Sequence, residues 1–177
     1  GMYEFKADTS LLLNITPDHL DRYNYDINEY ADSKLRIIQN QGISEQFICN
    51  VDDELISNKL ESIELEVEKM DFSIKSKLEN GAYLNNGELV FNLENANLII
   101  PVGDIPLIGK HNLYNTMAAV LTVIRYGLNN GQISEGLKSF ENASHRLEYV
   151  ARVDGVRFIN DSKATNVDSV YYALDGM

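Results

Sequence analysis

Residues Leu11–Ile37 read LLLNITPDHLDRYNYDINEYADSKLRI, and the reading of this stretch decides the fold. Leu11-Leu12-Leu13 is an apolar run suited to a buried strand of a parallel sheet. Asn14-Ile15-Thr16-Pro17 breaks it, with Thr16 suited to an N-cap and Pro17 to a first helical position. Asp18, His19 and Asp21 are thereby expected at a strand's C-terminal edge and a helix's start, where open α/β sheets bind ligands. Imidazole and carboxylate groups ligate metals, and free N–H groups at a helix start favour phosphate.

The following helix is expected to start on a capping box of Asp26 and Glu29. Tyr25 and Tyr30 would form its apolar staple, and Gly42 its stop. At about 100° per residue, Ile27, Tyr30, Ala31, Ile37 and Ile38 share one arc, with Lys34 in its middle and Arg36 opposite. A lysine on a buried face is costly unless paired, neutral or chemically altered. The plainer alternative is a lysine that snorkels to the surface. The metal-type loop just upstream favours a chemical role.

Outside this stretch the chain of 177 residues is long enough for one sizeable domain and part of another. Its formal net charge of −12 leaves no basic stripe to neutralise phosphates, so no nucleic-acid partner is expected. A single cysteine, Cys49, excludes an intramolecular disulfide, fits a reducing compartment and reads as a buried strand residue. No apolar run approaches membrane-spanning length and no signal peptide is visible, so a cytoplasmic protein without a membrane partner is expected.

Gln46–Asn50 reads as a strand, Asp52–Ser62 as a helix with Leu55, Ile56 and Leu60 inward, and Leu65–Ile74 as a strand. This is the rhythm of a parallel α/β sheet. Between Gly81 and Pro101 the rhythm changes: Asn86-Gly87 marks a hairpin, a strand over Leu98–Val102 follows, and the whole is an antiparallel meander. Gly103 and Gly109-Lys110 imitate a phosphate-binding loop, but five residues separate the glycines and His111 stands where Ser or Thr belongs. Asn112 and Asn115 lie on one face at the start of the next helix, able to cap it or to read a nucleotide edge. Met117, Ala118, Val120, Leu121 and Ile124 form its core stripe. A short helix over Ser134–Glu141 is expected, capped by Ser134 with Ile133 as staple. Asp154-Gly155 marks a second hairpin, and the polar run Asn160–Asn166 leads into a last helix.

Five motifs together resemble the Mur ligases, ATP-dependent amide-forming enzymes of peptidoglycan precursor synthesis. They are LNITPDHLDRY (Leu13–Tyr23), YADSKLRI (Tyr30–Ile37), GKHNLYN (Gly109–Asn115), SHRLE (Ser144–Glu148) and NDSKATN (Asn160–Asn166). The last resembles the branch of the family that adds D-glutamate to UDP-N-acetylmuramoyl-L-alanine, since other members resemble an Asp-x-x-His pattern there. The resemblance implies ATP and Mg2+ as cofactors, with those two compounds as substrates. It implies activation of a carboxylate as an acyl phosphate, which the incoming amino group attacks.

Residue by residue, His19 resembles a magnesium ligand and Lys34 the family's carbamylated lysine, an anion serving the same metal. Asn112 and Asn115 match nucleotide-contacting asparagines, His111 less closely. Arg146 matches an arginine that reaches ATP phosphates, and Asp161 an ATP-contacting aspartate. Lys163 and Thr165 stand where this branch meets phosphate and D-glutamate.

The family's phosphate loop and acidic magnesium ligand have no counterpart here, so the expectation is a fragment of the ligase, inactive and binding ATP weakly by itself. Residues 1–143 would be the second half of a central ATP-binding domain: α/β, with a mostly parallel sheet and a small antiparallel meander. Residues 144–177 would be the truncated start of a Rossmann-like C-terminal domain. Competing expectations are a folylpolyglutamate-type or other Mur-type ligase, and a non-catalytic nucleotide-binding module.

Overall fold

The computed structural model describes residues 3–94, 96–107 and 109–175, with the side chains of Asp168, Tyr172 and Asp175 outside the description. The sequence reading of the chain's first residues and of Gly103–Asn112 includes Met2 and Ile108, which lie outside the described residues. Strands β1 (Thr9–Leu12), β2 (Gln46–Asn50), β3 (Glu68–Ser73), β4 (Gly81–Asn85), β5 (Glu88–Leu93) and β6 (Ala96–Pro101) form one sheet in sequence order. The pairs β1–β2, β2–β3 and β3–β4 are parallel, and β4–β5 and β5–β6 antiparallel. The expected meander therefore extends the α/β sheet. Among the described residues five α-helices accompany the strands: α1 (Ile27–Leu35), α2 (Glu54–Leu60), α3 (Lys110–Arg125), α4 (Asn130–Lys138) and α5 (Val167–Asp175). Strands β7 (Glu148–Val153) and β8 (Val156–Asn160) form a separate hairpin.

The interior strand β2, between β1 and β3, is buried at every position and covered on both faces. On one face Phe47 and Cys49 pack with Leu12, Tyr30, Ala31, Leu35 and Ile38 around α1, and with Ile56 of α2. On the other, Ile48, Phe72, Leu89 and Phe91 meet Leu113, Met117, Ala118, Val120 and Leu121 of α3, and Ile133 of α4. Each fully buried side chain of this size contributes about 1.5–3 kcal/mol. Burial pushes the Cys49 thiol far above its ordinary range, and the Asp71 carboxylate beside it pushes the same way.

Asn86-Gly87 turns between β4 and β5, both residues at positive φ (48° and 81°), the conformation that a tight two-residue hairpin demands. Asp154 and Gly155 repeat it between β7 and β8, at 50° and 85°. At Gly81, which opens β4 against β3 with φ +132°, a side chain would overlap the backbone carbonyl of Asp71.

Several local expectations are corrected. Thr16 and Pro17 start no helix: between β1 and α1 there is one 3-10 turn, Leu20–Arg22, with left-handed residues at His19, Asn24 and Tyr25. Proline biases Thr16 away from helical geometry, and the left-handed pair Asn24-Tyr25 stops any propagation before Asp26. Asp26 does cap α1, its Oδ1 accepting from Asn28 N at 2.7 Å, but Glu29 instead takes the Asn24 amide at 2.9 Å. Tyr25 is 79% exposed and staples nothing, whereas Tyr23 meets Tyr30 edge-on at 5.1 Å.

Helix α1 ends at Leu35 and tightens into a 3-10 turn over Arg36–Ile38, well short of Gly42. That change of period leaves Ile37 at the surface and brings Leu35 and Ile38 into the core. Lys34 is exposed and does not lie on a buried face. Helix α4 starts earlier than expected because Asn129 and Gln132 form a reciprocal capping box, which leaves Ser134 inside the helix.

Candidate functional site

Beside β1, whose far edge carries no strand among the described residues, lies an open cleft of about 410 Å³. Its floor is Leu11, Leu12 and Leu13, and its polar wall is Asn14, Thr16 and Asp18. Tyr30, Lys34 and Ile37 of the α1 region close the second side, and Asn166, at the entry to α5, closes the third. The Lys34 Nζ stands 5.0 Å from the centre of the Tyr30 ring, one helical turn earlier on α1. Its ammonium sits over the aromatic ring while the residue lines the cleft.

The loop after β1 is held rigidly by the loop after β2. Asn50 donates its side-chain amide to Leu13 O at 3.0 Å, and Ile15 N donates to Asp53 Oδ2 at 2.8 Å. Asp53 also caps α2 through Ile56 N at 3.0 Å, so one carboxylate ties the helix start to the polar wall. His19 follows this wall with its side chain 66% exposed and Nε2 3.7 Å from Asp18 Oδ1. It is Asp18 that lines the cleft with Lys34.

Magnesium takes oxygen ligands at near-octahedral geometry. Among the described residues no group of three or more His, Cys, Asp or Glu is placed to hold a metal ion. Asp18, His19 and the Lys34 ammonium do not fit magnesium, because an ammonium repels the cation. A carbamate on the same nitrogen would supply oxygen.

Asn112 and Asn115 sit on one face of the first turn of α3, the Asn115 amide donating to Asn112 Oδ1 at 3.4 Å. Asn112 is buried and its carbonyl accepts from Thr116 Oγ1 at 2.8 Å, while Asn115 is exposed and able to meet a ligand. At the base of the β7–β8 hairpin the SHRLE and NDSKATN segments meet. Asp161 Oδ1 accepts from Leu147 N at 3.0 Å, and Lys163 N donates to His145 O at 3.2 Å. Arg146 is held exposed between two left-handed residues, His145 (φ 67°) and Leu147 (φ 47°). Such strain persists only where surrounding bonds fix it, and it marks sites where a side chain must be aimed. Lys163 and Thr165 are exposed on the same loop.

The sequence-derived residues thus fall into three groups: Lys34 with the His19 loop, the α3 asparagines, and Arg146, Asp161, Lys163 and Thr165. Asn14 and Asn166 are the wall residues that sequence reasoning missed. The available signal for Asn166 was its place one residue after Thr165, with an Asn-x-x-Ser capping pattern into α5. Its Oδ1 accepts from Ser169 N at 2.8 Å and from Ser169 Oγ at 2.7 Å.

Residues 1–123 match the Mur ligase middle domain. The chain is 42% identical over 177 residues to the UDP-N-acetylmuramoylalanine–D-glutamate ligase of Christiangramia forsetii, covering 100% of this chain and 40% of that protein. The ligase of the same name from Cytophaga hutchinsonii is 42% identical over 99% of this chain and 39% of its own length. The chain therefore spans about 40% of the length of the curated relatives it matches. In fold it is similar to MurF from Acinetobacter baumannii, with a TM-score of 0.74 at 20% identity, over 94% of this chain and 36% of that one.

Proposed function

The chain belongs to the Mur ligase family, and from that premise we propose that it is the part of a D-glutamate-adding ligase that completes the nucleotide and acyl-acceptor side of the active site. The whole protein would join D-glutamate to UDP-N-acetylmuramoyl-L-alanine at the expense of ATP in the cytoplasm. The observation that carries this reading is the 42% identity to a D-glutamate-adding enzyme over the full chain, which itself contains NDSKATN. The alanyl carboxylate attacks the γ-phosphorus and ADP leaves. The amino nitrogen of D-glutamate then attacks the acyl carbon, releasing inorganic phosphate and, after loss of a proton, the amide.

In this reading residues 1–143 belong to the central domain and residues 144–177 open the next one, in keeping with the separate β7–β8 sheet. Asn115 contacts the nucleotide, with Asn112 behind it. Arg146 reaches the ATP phosphates, and Asp161 holds the Arg146 loop through Leu147 N. Lys163 and Thr165 orient phosphate and D-glutamate. Magnesium, when bound, would neutralise phosphate charge; the unmodified Lys34 amine does not fit it, and only as a carbamate would Lys34, with His19, offer it ligands. No helix among the described residues is long and apolar enough to cross a membrane.

The test is ligation by the whole protein carrying this chain, supplied with ATP, magnesium and UDP-N-acetylmuramoyl-L-alanine. Phosphate release with D-glutamate but not with L-lysine, meso-diaminopimelate or D-alanyl-D-alanine is expected. Equal turnover with a different amino acid would overturn the assignment.

A further inference from the structure

Asp52, in the turn between β2 and α2, has a carboxylate shared by two other parts of the fold. Its Oδ1 accepts from Ser73 Oγ at 2.6 Å. Its Oδ2 accepts from Ile74 N at 2.7 Å, Lys75 N at 3.2 Å and Tyr114 Oη at 2.8 Å. Ser73 ends β3 and Ile74 follows it, while Tyr114 lies near the start of α3, between Asn112 and Asn115. The Asp52 backbone joins in: its carbonyl accepts from Lys75 Nζ at 3.2 Å, and its N–H donates to Asn50 Oδ1 at 3.0 Å.

A half-buried carboxylate saturated by four donors is a stiff joint, because charge-assisted hydrogen bonds are stronger and shorter than neutral ones. The packing behind the joint does not need it. The Tyr114 ring meets buried Phe72 at 6.1 Å, and Met117, Ala118 and Leu121 already seat α3 on the sheet. What the Tyr114 hydroxyl adds is a fixed position of the helix start along the carboxyl edge of the sheet. A helix sliding on an apolar stripe keeps its burial and loses that position.

We infer that Asp52, through Tyr114, is a positioning residue that sets where the Asn112 and Asn115 face of α3 meets the nucleotide. This rests on the reading given under Proposed function. Neither residue touches the nucleotide in this account.

Steady-state kinetics of the whole protein and of Tyr114→Phe tests it, with ATP varied and both other substrates saturating. The phenylalanine keeps the ring against Phe72 and removes only the hydroxyl. The KM for ATP is expected to rise about tenfold, as small misplacements of a binding group do, with kcat within about twofold. Tm should fall by no more than about 4 °C, since one hydrogen bond of several is lost. Asp52→Asn, which sets an amide where four donors converge, should raise the KM for ATP at least as far and lower Tm further. An unchanged KM for ATP in Tyr114→Phe overturns the inference. So does a loss of rate that merely follows the unfolded fraction. A wild-type protein that turns over no ATP overturns the functional reading and the positioning role with it. An active wild type with an indifferent Tyr114→Phe overturns the positioning role alone.

Discussion

Lys34 Nζ and the Tyr30 ring, 5.0 Å apart, place a cation on the open side of α1 and in the wall of the cleft beside β1. An exposed cation–π contact of this kind is worth about 0.5–1 kcal/mol. Lys34→Ala is therefore expected to leave the protein folded, with a loss of stability of about 1 kcal/mol at most. Ligation by the whole protein should fall by about 10²-fold or more, the scale seen when a charge-stabilising group is removed from a reacting site. Lys34→Arg keeps the charge and the ring contact yet cannot form a carbamate, and it should be equally inactive. Near-normal turnover of the arginine variant would return Lys34 to the role of a surface lysine.

Asn166 combines a cap with a wall position, and the two roles separate chemically. Aspartate caps a helix about as well as asparagine, so Asn166→Asp should keep the bonds from Ser169 and shift Tm by about 2 °C or less. It removes the amide donor and brings a second carboxylate to a cleft already lined by Asp18. The KM for an anionic substrate is expected to rise about tenfold or more, while Asn166→Ala should lose both stability and affinity. A KM unmoved in Asn166→Asp would confine the residue to capping.

The lead-in before β1 is fastened through Glu45. The Lys6 ammonium at 2.8 Å, the Gly42 N–H at 2.7 Å and the Ser44 hydroxyl at 2.7 Å hold its carboxyl down from an ordinary 4.5 to about 2. A depressed carboxyl pKa contributes stability that is complete above the unfolded value and lost as pH falls through the folded one. Urea midpoints should therefore decline from about pH 5 to about pH 2, and Glu45→Gln should flatten part of that decline. An identical slope in the glutamine variant would show that other carboxylates account for it.

Gly81→Ala is expected to be among the most damaging single changes in the sheet. The position combines φ +132° with a backbone carbonyl where a methyl would stand, so β4 must leave β3. A loss of about 3 kcal/mol or more, read from denaturant unfolding, is expected. Gly87→Ala meets nothing within contact range and should cost only its turn strain, about 1 kcal/mol.

Local chemistry determined much of this protein from sequence alone. The QFICN run reads as a strand, and it is β2 at the expected residues. Asn86-Gly87 and Asp154-Gly155 specify their turns through positive φ, and the Met117–Leu121 stripe specifies the core face of α3. These signals lie within a few residues of one another, where backbone sterics and side-chain period act directly.

The tertiary structure decided what depends on which surfaces meet. A perfect helical arc placed Lys34 in the core. Its ammonium instead sits over the Tyr30 ring at the cleft beside β1. Asn166 reaches the wall with Lys34, and Tyr114 reaches Asp52, across long stretches of intervening chain. No periodicity encodes such meetings, because they depend on the sheet bringing its loops together at one edge.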